Sequence, residues 1–368
     1  MRWRISAFRT AKRLHINLYF YRVNDVDCSR GGGAIPVRGG VRSRRAMGAR
    51  RRLRGATVGA AAMAMPDTVV GNDEIGELLG IDDRWIRSRT GVCERRRASV
   101  DESLVDFACA AAQRSLSLAG IPPDAVDLLL VATMTADDIM PNAAPLVAER
   151  IGADGCAALD VGGACTGWLG ALSLASASVE AGRADTVLVV GADLMSRMID
   201  YADRATAPLF GDGAGAVLVR AREGASRIGP IVLGTDATGA GWVYARRDEG
   251  VIRMAGHDTF RHAVAHLVAV TQAATSAANR ALDEIDLFVF HQANVRIINA
   301  VGAQLGLDAV RVPTCIERFG NTAAATIPSV LADATEERRL HDGDHVLLAA
   351  FGAGFTVGAG VVEWGGHA

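Results

Sequence analysis

The sequence predicts an α/β fold built from two duplicated halves, and three observations carry that reading. Helix-spaced and strand-like runs alternate along most of the chain, the order that builds layered α/β proteins. Several strand-like runs are apolar at nearly every position, as in strands covered on both faces; Val126-Asp127-Leu128-Leu129-Leu130-Val131-Ala132 is one. Asp127 to Asp185 spans 58 positions, and Asp286 to Asp344 spans 58 as well, each Asp heading a strand-like run preceded by a helix or by helix-to-strand spacing. A common interval with matching element types marks an internal repeat.

In chain order, Gly55-Ala56-Thr57-Val58-Gly59 is the candidate first strand. Asn72-Asp73-Glu74 caps a short helix ending near Gly80, and Asp82-Asp83 opens another that runs through Trp85 to Gly91. Ala108 to Leu118 is helical by spacing, Gly120 closes it, and the Val126–Ala132 strand follows. Ala184-Asp185-Thr186-Val187-Leu188-Val189-Val190 is the second strand of this half. Ile285-Asp286-Leu287-Phe288-Val289-Phe290 and Gly343-Asp344-His345-Val346-Leu347-Leu348 repeat the pair.

Composition limits what the chain can be. At 368 residues, 50% of them hydrophobic, it can bury a sizeable core. It has no run of about 18 uncharged apolar residues, so a soluble protein with no membrane contact is expected. The cysteines (Cys28, Cys93, Cys109, Cys156, Cys165, Cys315) show neither CxxC nor paired spacing. A reducing cytoplasm, no structural metal and no cofactor are the expectation.

The net charge of −2 conceals a division. Residues 1–54 carry fifteen Arg/Lys against Asp25 and Asp27, a surplus of 13, which leaves the remainder near −15. The chain therefore divides into a basic, disordered extension (1–52), a first half (53–225) and a second half (226–368). The extension lacks the apolar core of a secretory signal, and Met47 is a plausible true start.

The chemistry centres on Gly162-Gly163-Ala164-Cys165-Thr166-Gly167-Trp168, which sets one thiol between small residues at a strand-to-helix transition. Unpaired N–H groups and the helix dipole there favour a thiolate. Taken alone, the stretch also fits a buried small side chain. In the repeat, Cys165 lies 20 positions before Asp185 and Asn321 lies 23 before Asp344, nearly equivalent places, while His291 ends a second-half strand. Halves packed about a pseudo-twofold axis would bring Cys165, His291 and Asn321 to one pocket. Singly, a His after a strand or an Asn after Gly also fits a structural or turn role.

With these residues together, the chain resembles the thiolase superfamily, and within it the β-ketoacyl-acyl-carrier-protein synthase III family. The resemblance rests on Ala164-Cys165-Thr166-Gly167, Phe210-Gly211-Asp212-Gly213-Ala214-Gly215-Ala216, His291-Gln292-Ala293-Asn294, Gly320-Asn321-Thr322-Ala323-Ala324 and Phe351-Gly352-Ala353-Gly354-Phe355-Thr356, in that order, from Leu53 to the C-terminus. It implies a thiolase-like αβαβα fold, a homodimer, and decarboxylative condensation of an acyl-CoA primer with malonyl-acyl-carrier protein. Cys165 would carry the acyl group, and His291 with Asn321 would stabilise the malonyl-derived enolate. Backbone N–H groups of Cys165 and Ala353 would hold the oxyanion. Ala353 stands where relatives usually have Gly.

By the same resemblance Trp85, Arg89 and Arg204 meet the adenine end of CoA, and Met140 and Phe210 bound the acyl pocket, Met140 from the partner subunit. Arg261 and Arg296 face the acidic carrier protein, although Ala303 and Gln304 stand where some relatives carry lysines. A thiolase would need a second catalytic cysteine near the C-terminus, and none follows Cys315. A hydroxymethylglutaryl-CoA synthase needs a glutamate base, and none flanks the elbow; a chalcone-synthase relative would end on a different Gly-Pro-Gly motif. Two readings compete: an O-acyltransferase of the same fold, against which Asn321 argues, and a non-catalytic carrier-protein or DNA-binding module using the basic extension. An acidic body and an intact triad oppose the latter, so no nucleic-acid partner is expected.

Overall fold

The apolar runs become strands of two sheets, with helices filling the space between and outside them. The computed structural model describes residues 54–365; the basic extension 1–52 lies outside them. In chain order come β1 (Arg54–Ala64), β2 (Val69–Gly71), α1 (Asn72–Leu79), α2 (Asp83–Thr90), β3 (Glu94–Arg96), α3 (Leu104–Leu118) and β4 (Leu128–Ala132). Then follow α4 (Ala143–Ile151), β5 (Ala157–Val161), α5 (Gly167–Glu180), β6 (Thr186–Leu194) and β7 (Asp212–Glu223). The rest comprises β8 (Val232–Thr235), β9 (Val243–Ala245), β10 (Ile252–Met254), α6 (Gly256–Ala277), β11 (Leu287–Phe290) and α7 (Val295–Leu305). Last are α8 (Ile316–Phe319), α9 (Thr326–Glu336), β12 (His345–Gly352) and β13 (Thr356–Glu363).

One sheet has the order β1-β7-β6-β4-β5, the other β11-β12-β13-β8. The β4–β5, β4–β6 and β11–β12 pairs are parallel, as crossover helices require. α3 and α4 pack on one face of the first sheet, and α6 and α7 on one face of the second. Between the sheets lie α5 and α9, whose Trp168, Leu169, Leu172, Ile327 and Leu331 join strand residues of both sheets in one core. That order is αβαβα. α5 is apolar on most sides because it is covered on most sides.

The 58-residue interval has a direct structural basis. Asp127 donates its N–H to Thr186 O (2.9 Å), and its carboxylate accepts from Thr186 N (3.1 Å). Asp286 makes the same pair of bonds with His345, at 2.8 Å each. Each aspartate thus aligns the start of one parallel strand with its neighbour. The strand-to-helix elbows also match: Ala164 and Ala323 both take positive φ (51° and 48°), and each begins a three-residue 3₁₀ turn leading into α5 or α9. Counted from Thr186 and His345, the mate of Cys165 is Ala324, and Asn321 corresponds to Gly162, three residues ahead of the nucleophile position. The equivalence read from the sequence was offset by that much.

Local boundaries differ in two places. α3 begins at Leu104, four residues before the expected Ala108, because Ser103 and Asp106 form a reciprocal capping box. Gly71, not Asn72, precedes α1; the Asn72 amide is spent on Asp83 and Val92 O, and its oxygen accepts from buried Arg95.

The Gly211-Asp212-Gly213 motif is the close approach of β7 to the Asn321 turn. Gly211 N donates to Asn321 O (3.1 Å), Asn321 N donates to Leu209 O (2.8 Å), and a Cβ on Gly211 would lie 2.2 Å from Phe319 O. Gly211→Ala must therefore displace backbone and is expected to cost about 1–3 kcal/mol, read as a lowered urea midpoint. An unchanged midpoint would show that the turn yields freely.

Candidate active site

Cys165 stands in the 3₁₀ turn before α5, with its side chain toward a cavity of about 430 Å³ that His291, Asn321, Phe210 and Ala353 also line. Thr166 fixes the elbow: its hydroxyl lies 2.7 Å from Gly163 O and 2.8 Å from Thr356 Oγ1, which in turn donates to Ala353 O (3.2 Å). The nucleophile turn and the Gly352–Phe355 turn are thereby fastened together. A Cβ on Gly352 would sit 3.0 Å from Cys165 N, so glycine keeps the space before that N–H open.

The second half shows what such an N–H binds. Ala324, the mate of Cys165, donates its N–H to Asp193 Oδ2 (3.0 Å), and Asp193 is the mate of Gly352, seven positions after Thr186 as Gly352 is after His345. In one half a carboxylate oxygen fills the elbow. In the other, glycine leaves the equivalent place open.

The electrostatics depart from the expected thiolate. Burial pushes the Cys165 thiol up to about 12, the nearby Asp193 carboxylate adds to this, and the residue's own backbone N–H opposes it. Cys165 is half-buried and lines the cavity, and its desolvation outweighs a single 3₁₀ turn and the helix behind it. Burial pulls His291 down to about 3, so the imidazole is neutral at physiological pH. Its Nδ1 lies 2.7 Å from Thr326 Oγ1, leaving Nε2 for the cavity. Thr326 Oγ1 also lies 3.0 Å from Ala323 O, so Nε2 carries the ring proton, as a donor, in the tautomer whose Nδ1 takes the hydroxyl proton. Asn321 is oriented as well: Oδ1 accepts from Ala323 N (2.9 Å), which leaves the Nδ2 amide as the cavity-facing donor. One thiol, one neutral imidazole and one amide converge on one chamber.

Two family profiles match the chain: 3-oxoacyl-[acyl-carrier-protein] synthase III over residues 159–237, and the C-terminal region of the same enzyme over 275–364. The β-ketoacyl-[acyl-carrier-protein] synthase III 2 of Streptomyces coelicolor is 42% identical over 315 residues, 85% of this chain and 94% of that protein. The chain belongs to the β-ketoacyl-[acyl-carrier-protein] synthase III family. The synthase is also 38% identical to the Geobacillus kaustophilus synthase III over 82% of its own length and 96% of that protein's. Among solved structures it matches the Aquifex aeolicus synthase III with a TM-score of 0.81 (35% identity, 84% of this chain, 100% of that one). The priming β-ketosynthase of the R1128 polyketide pathway matches with a TM-score of 0.82 (34% identity, 86% and 99%). The synthase is thus a condensing acyltransferase of thiolase-like fold.

Other residues singled out in the sequence fall around the same chamber or away from it. Trp85, Arg89 and Arg204 line the cavity, but the Arg89 guanidinium lies 4.4 Å over the Trp85 ring, and Arg204 donates to Leu79 O (2.9 Å). A purine between indole and guanidinium requires Arg89 to move. Arg296 lines the cavity and stacks on Phe260 at 5.4 Å, whereas the Arg261 side chain is exposed. Met140 is 84% exposed and does not line the chain's own cavity. Gln292 is structural: it donates to Phe290 O and accepts from Cys315 N, and Cys315 is buried away from the cavity.

Sequence reasoning missed the apolar wall formed by Met134, Met195 and Met198 and the hairpin of β9 and β10, which contributes Tyr244, Ile252 and Met254. Scattered methionines carry no periodic signal; only their side-chain adaptability hinted at a binding surface.

Proposed function

We propose that the synthase condenses an acyl-CoA primer with a malonyl thioester on acyl carrier protein, in fatty-acid initiation or polyketide priming. The observation that supports this best is the convergence of Cys165, His291 and Asn321 on one largely apolar chamber. In the first half-reaction the Cys165 sulfur attacks the acyl-CoA carbonyl, the C–S bond to CoA breaks, and the thiol proton leaves with CoA. The N–H groups of Cys165 and Ala353 meet the tetrahedral oxygen. In the second, His291 Nε2–H and Asn321 Nδ2–H hold the malonyl thioester oxygen as CO₂ departs. The resulting enolate carbon attacks the acyl carbonyl, the C–S bond to Cys165 breaks, and the expelled thiolate takes a proton from solvent to restore the thiol. Neutral donors suffice because the charge develops on oxygen in a water-poor site. Trp85, Arg89 and Arg204 serve the CoA, and Arg261 and Arg296 the carrier protein.

The test is direct. Purified protein given acyl-CoA and malonyl-carrier protein should release CoA and CO₂ in equal amounts and yield a β-ketoacyl-carrier product. CoA release without CO₂, with an ester formed on an added alcohol, would favour the O-acyltransferase reading instead.

Primer choice depends on Met140. Ile139 and Met140 are adjacent and 82% and 84% exposed, apolar surface that suits burial against a second copy, where Met140 closes the partner's pocket. Methionine adapts to longer chains, and each buried CH₂ contributes about 0.8 kcal/mol. Isobutyryl- or hexanoyl-CoA should exceed acetyl-CoA in kcat/KM by about tenfold, and Met140→Phe should reverse the order. A wild-type acetyl preference untouched by the substitution would refute this role.

A further inference from the structure

We propose that Asp236, His262 and His266 form a site for a divalent transition metal of the zinc class, outside the substrate cavity. One ligand atom from each lies within 4.8 Å of the other two. His262 and His266 are four residues apart on α6, so both rings project from one face of that helix. Asp236 follows β8, and its carboxylate is already oriented. Oδ1 accepts from Thr238 N (3.0 Å) and Thr238 Oγ1 (2.6 Å), while Oδ2 stands 3.2 Å from His266 Nε2.

The nitrogens are suited to ligation. His262 Nε2 lies 3.3 Å from an Arg261 guanidinium nitrogen, and since guanidinium only donates, that ring nitrogen presents its lone pair. The rings are also held: Trp242 packs on His262 at 4.0 Å between centroids, and Phe355 lies 5.7 Å from His266. Two imidazoles and one carboxylate, with water as a fourth ligand, are a zinc donor set. Ligand atoms about 2.1 Å from tetrahedral zinc lie about 3.4 Å apart, so a pair at the 4.8 Å limit closes by about 1.4 Å through side-chain rotation. Binding replaces the proton that His266 Nε2 shares with Asp236, and it repels Arg261, whose exposed side chain is able to swing into solvent.

The scattered cysteines showed no metal signature in the sequence, and this set uses none. Its partners are 26 and 30 positions apart, so only the fold joins Asp236 to the helical pair. The site also touches the reaction's scaffold. Asp236 and Phe355 exchange backbone hydrogen bonds (2.9 and 3.3 Å), and Phe355 ends the turn that carries Ala353. A cation bridging α6 to Asp236 fastens that turn to the helix.

The test titrates Co²⁺, then Zn²⁺, into the full-length protein stripped with chelator. The expected result is saturable visible absorption from Co²⁺, displaced by Zn²⁺, with a rise of about 2–5 °C in melting midpoint at hundredfold excess over Kd. His262→Ala/His266→Ala should weaken binding at least a hundredfold, and Asp236→Asn, which preserves shape and the bonds to Thr238, at least tenfold. Melting in chelator checks that both variants fold, and Asp236→Asn decides the matter if the double variant does not. No saturable binding below about 100 µM Co²⁺ or Zn²⁺, or equal binding by wild type and Asp236→Asn, would overturn the site.

Discussion

Cys165→Ala is expected to eliminate the acyl-enzyme and lower condensation by ~10⁴ or more, the scale seen when a nucleophile is removed from an otherwise intact site. Intact-mass measurement after incubation with acyl-CoA should show one added acyl group in the wild type, on the peptide holding Cys165, and none in the variant. Cys109 and Cys315 are buried, and burial raises both thiols, so labelling there would contradict the assignment. The pH dependence is a second readout. With the Cys165 thiol held near 12, alkylation of the free enzyme should climb about tenfold per pH unit from pH 7 through 10 without levelling at 9. The linkage sign is that of a raised pKa. The native site's preference for the thiol stabilises the fold fully below pH 9, the unfolded value, and this is lost as pH rises toward 12. A plateau near pH 7 would mean that the elbow's N–H groups outweigh burial after all.

The architecture was legible because duplication leaves a trace in spacing. Asp127 and Asp286 perform the same backbone task, so their intervals to the partner strand are equal, and the interval is visible without coordinates. The duplication also suggested that Cys165, His291 and Asn321 meet, as they do around the cavity, although Asn321 is the mate of Gly162 and not of Cys165. What the sequence hid was chemistry set by packing. Nothing near Cys165 in the chain announces Asp193, 28 residues on, whose carboxylate is fully buried and raised to about 6 by that burial. Burial runs against the thiolate expectation: a helix terminus is a local feature, while desolvation belongs to the assembled core. Gly352 and Asp193 likewise gain meaning only as pseudosymmetric mates, one leaving open the space that the other fills. The methionine wall and the Asp236–His262–His266 set share this character, since their members meet only in the fold.

Asn321→Ala should separate the two half-reactions. In the proposed mechanism the acyl-enzyme needs Cys165 and the N–H groups around it, none of which depends on the Asn321 amide, so CoA release in the first turnover should persist. Condensation should fall by ~10²–10³, the cost of removing one preorganised donor from a developing oxyanion. Asn321→Asp is the sharper variant: Ala323 N still has an oxygen to bond, but the cavity-facing amide becomes an acceptor beside a developing negative charge. Its loss should exceed that of Ala. His291→Ala should match Asn321→Ala in direction, and the wild-type decarboxylation rate should show no inflection near pH 6.5, because the ring is neutral down to about 3. That depressed value also sets a stability sign. The unfolded chain binds the His291 proton first, so this contribution to stability is fully present above pH 6.5 and is lost as pH falls from there toward 3. Rapid-quench measurement of CoA release beside ¹⁴CO₂ release would resolve the steps. Equal loss of both in Asn321→Ala would place the amide in acylation, and a decarboxylation limb at pH 6.5 that vanishes in His291→Ala would show an imidazole that titrates in the open cavity.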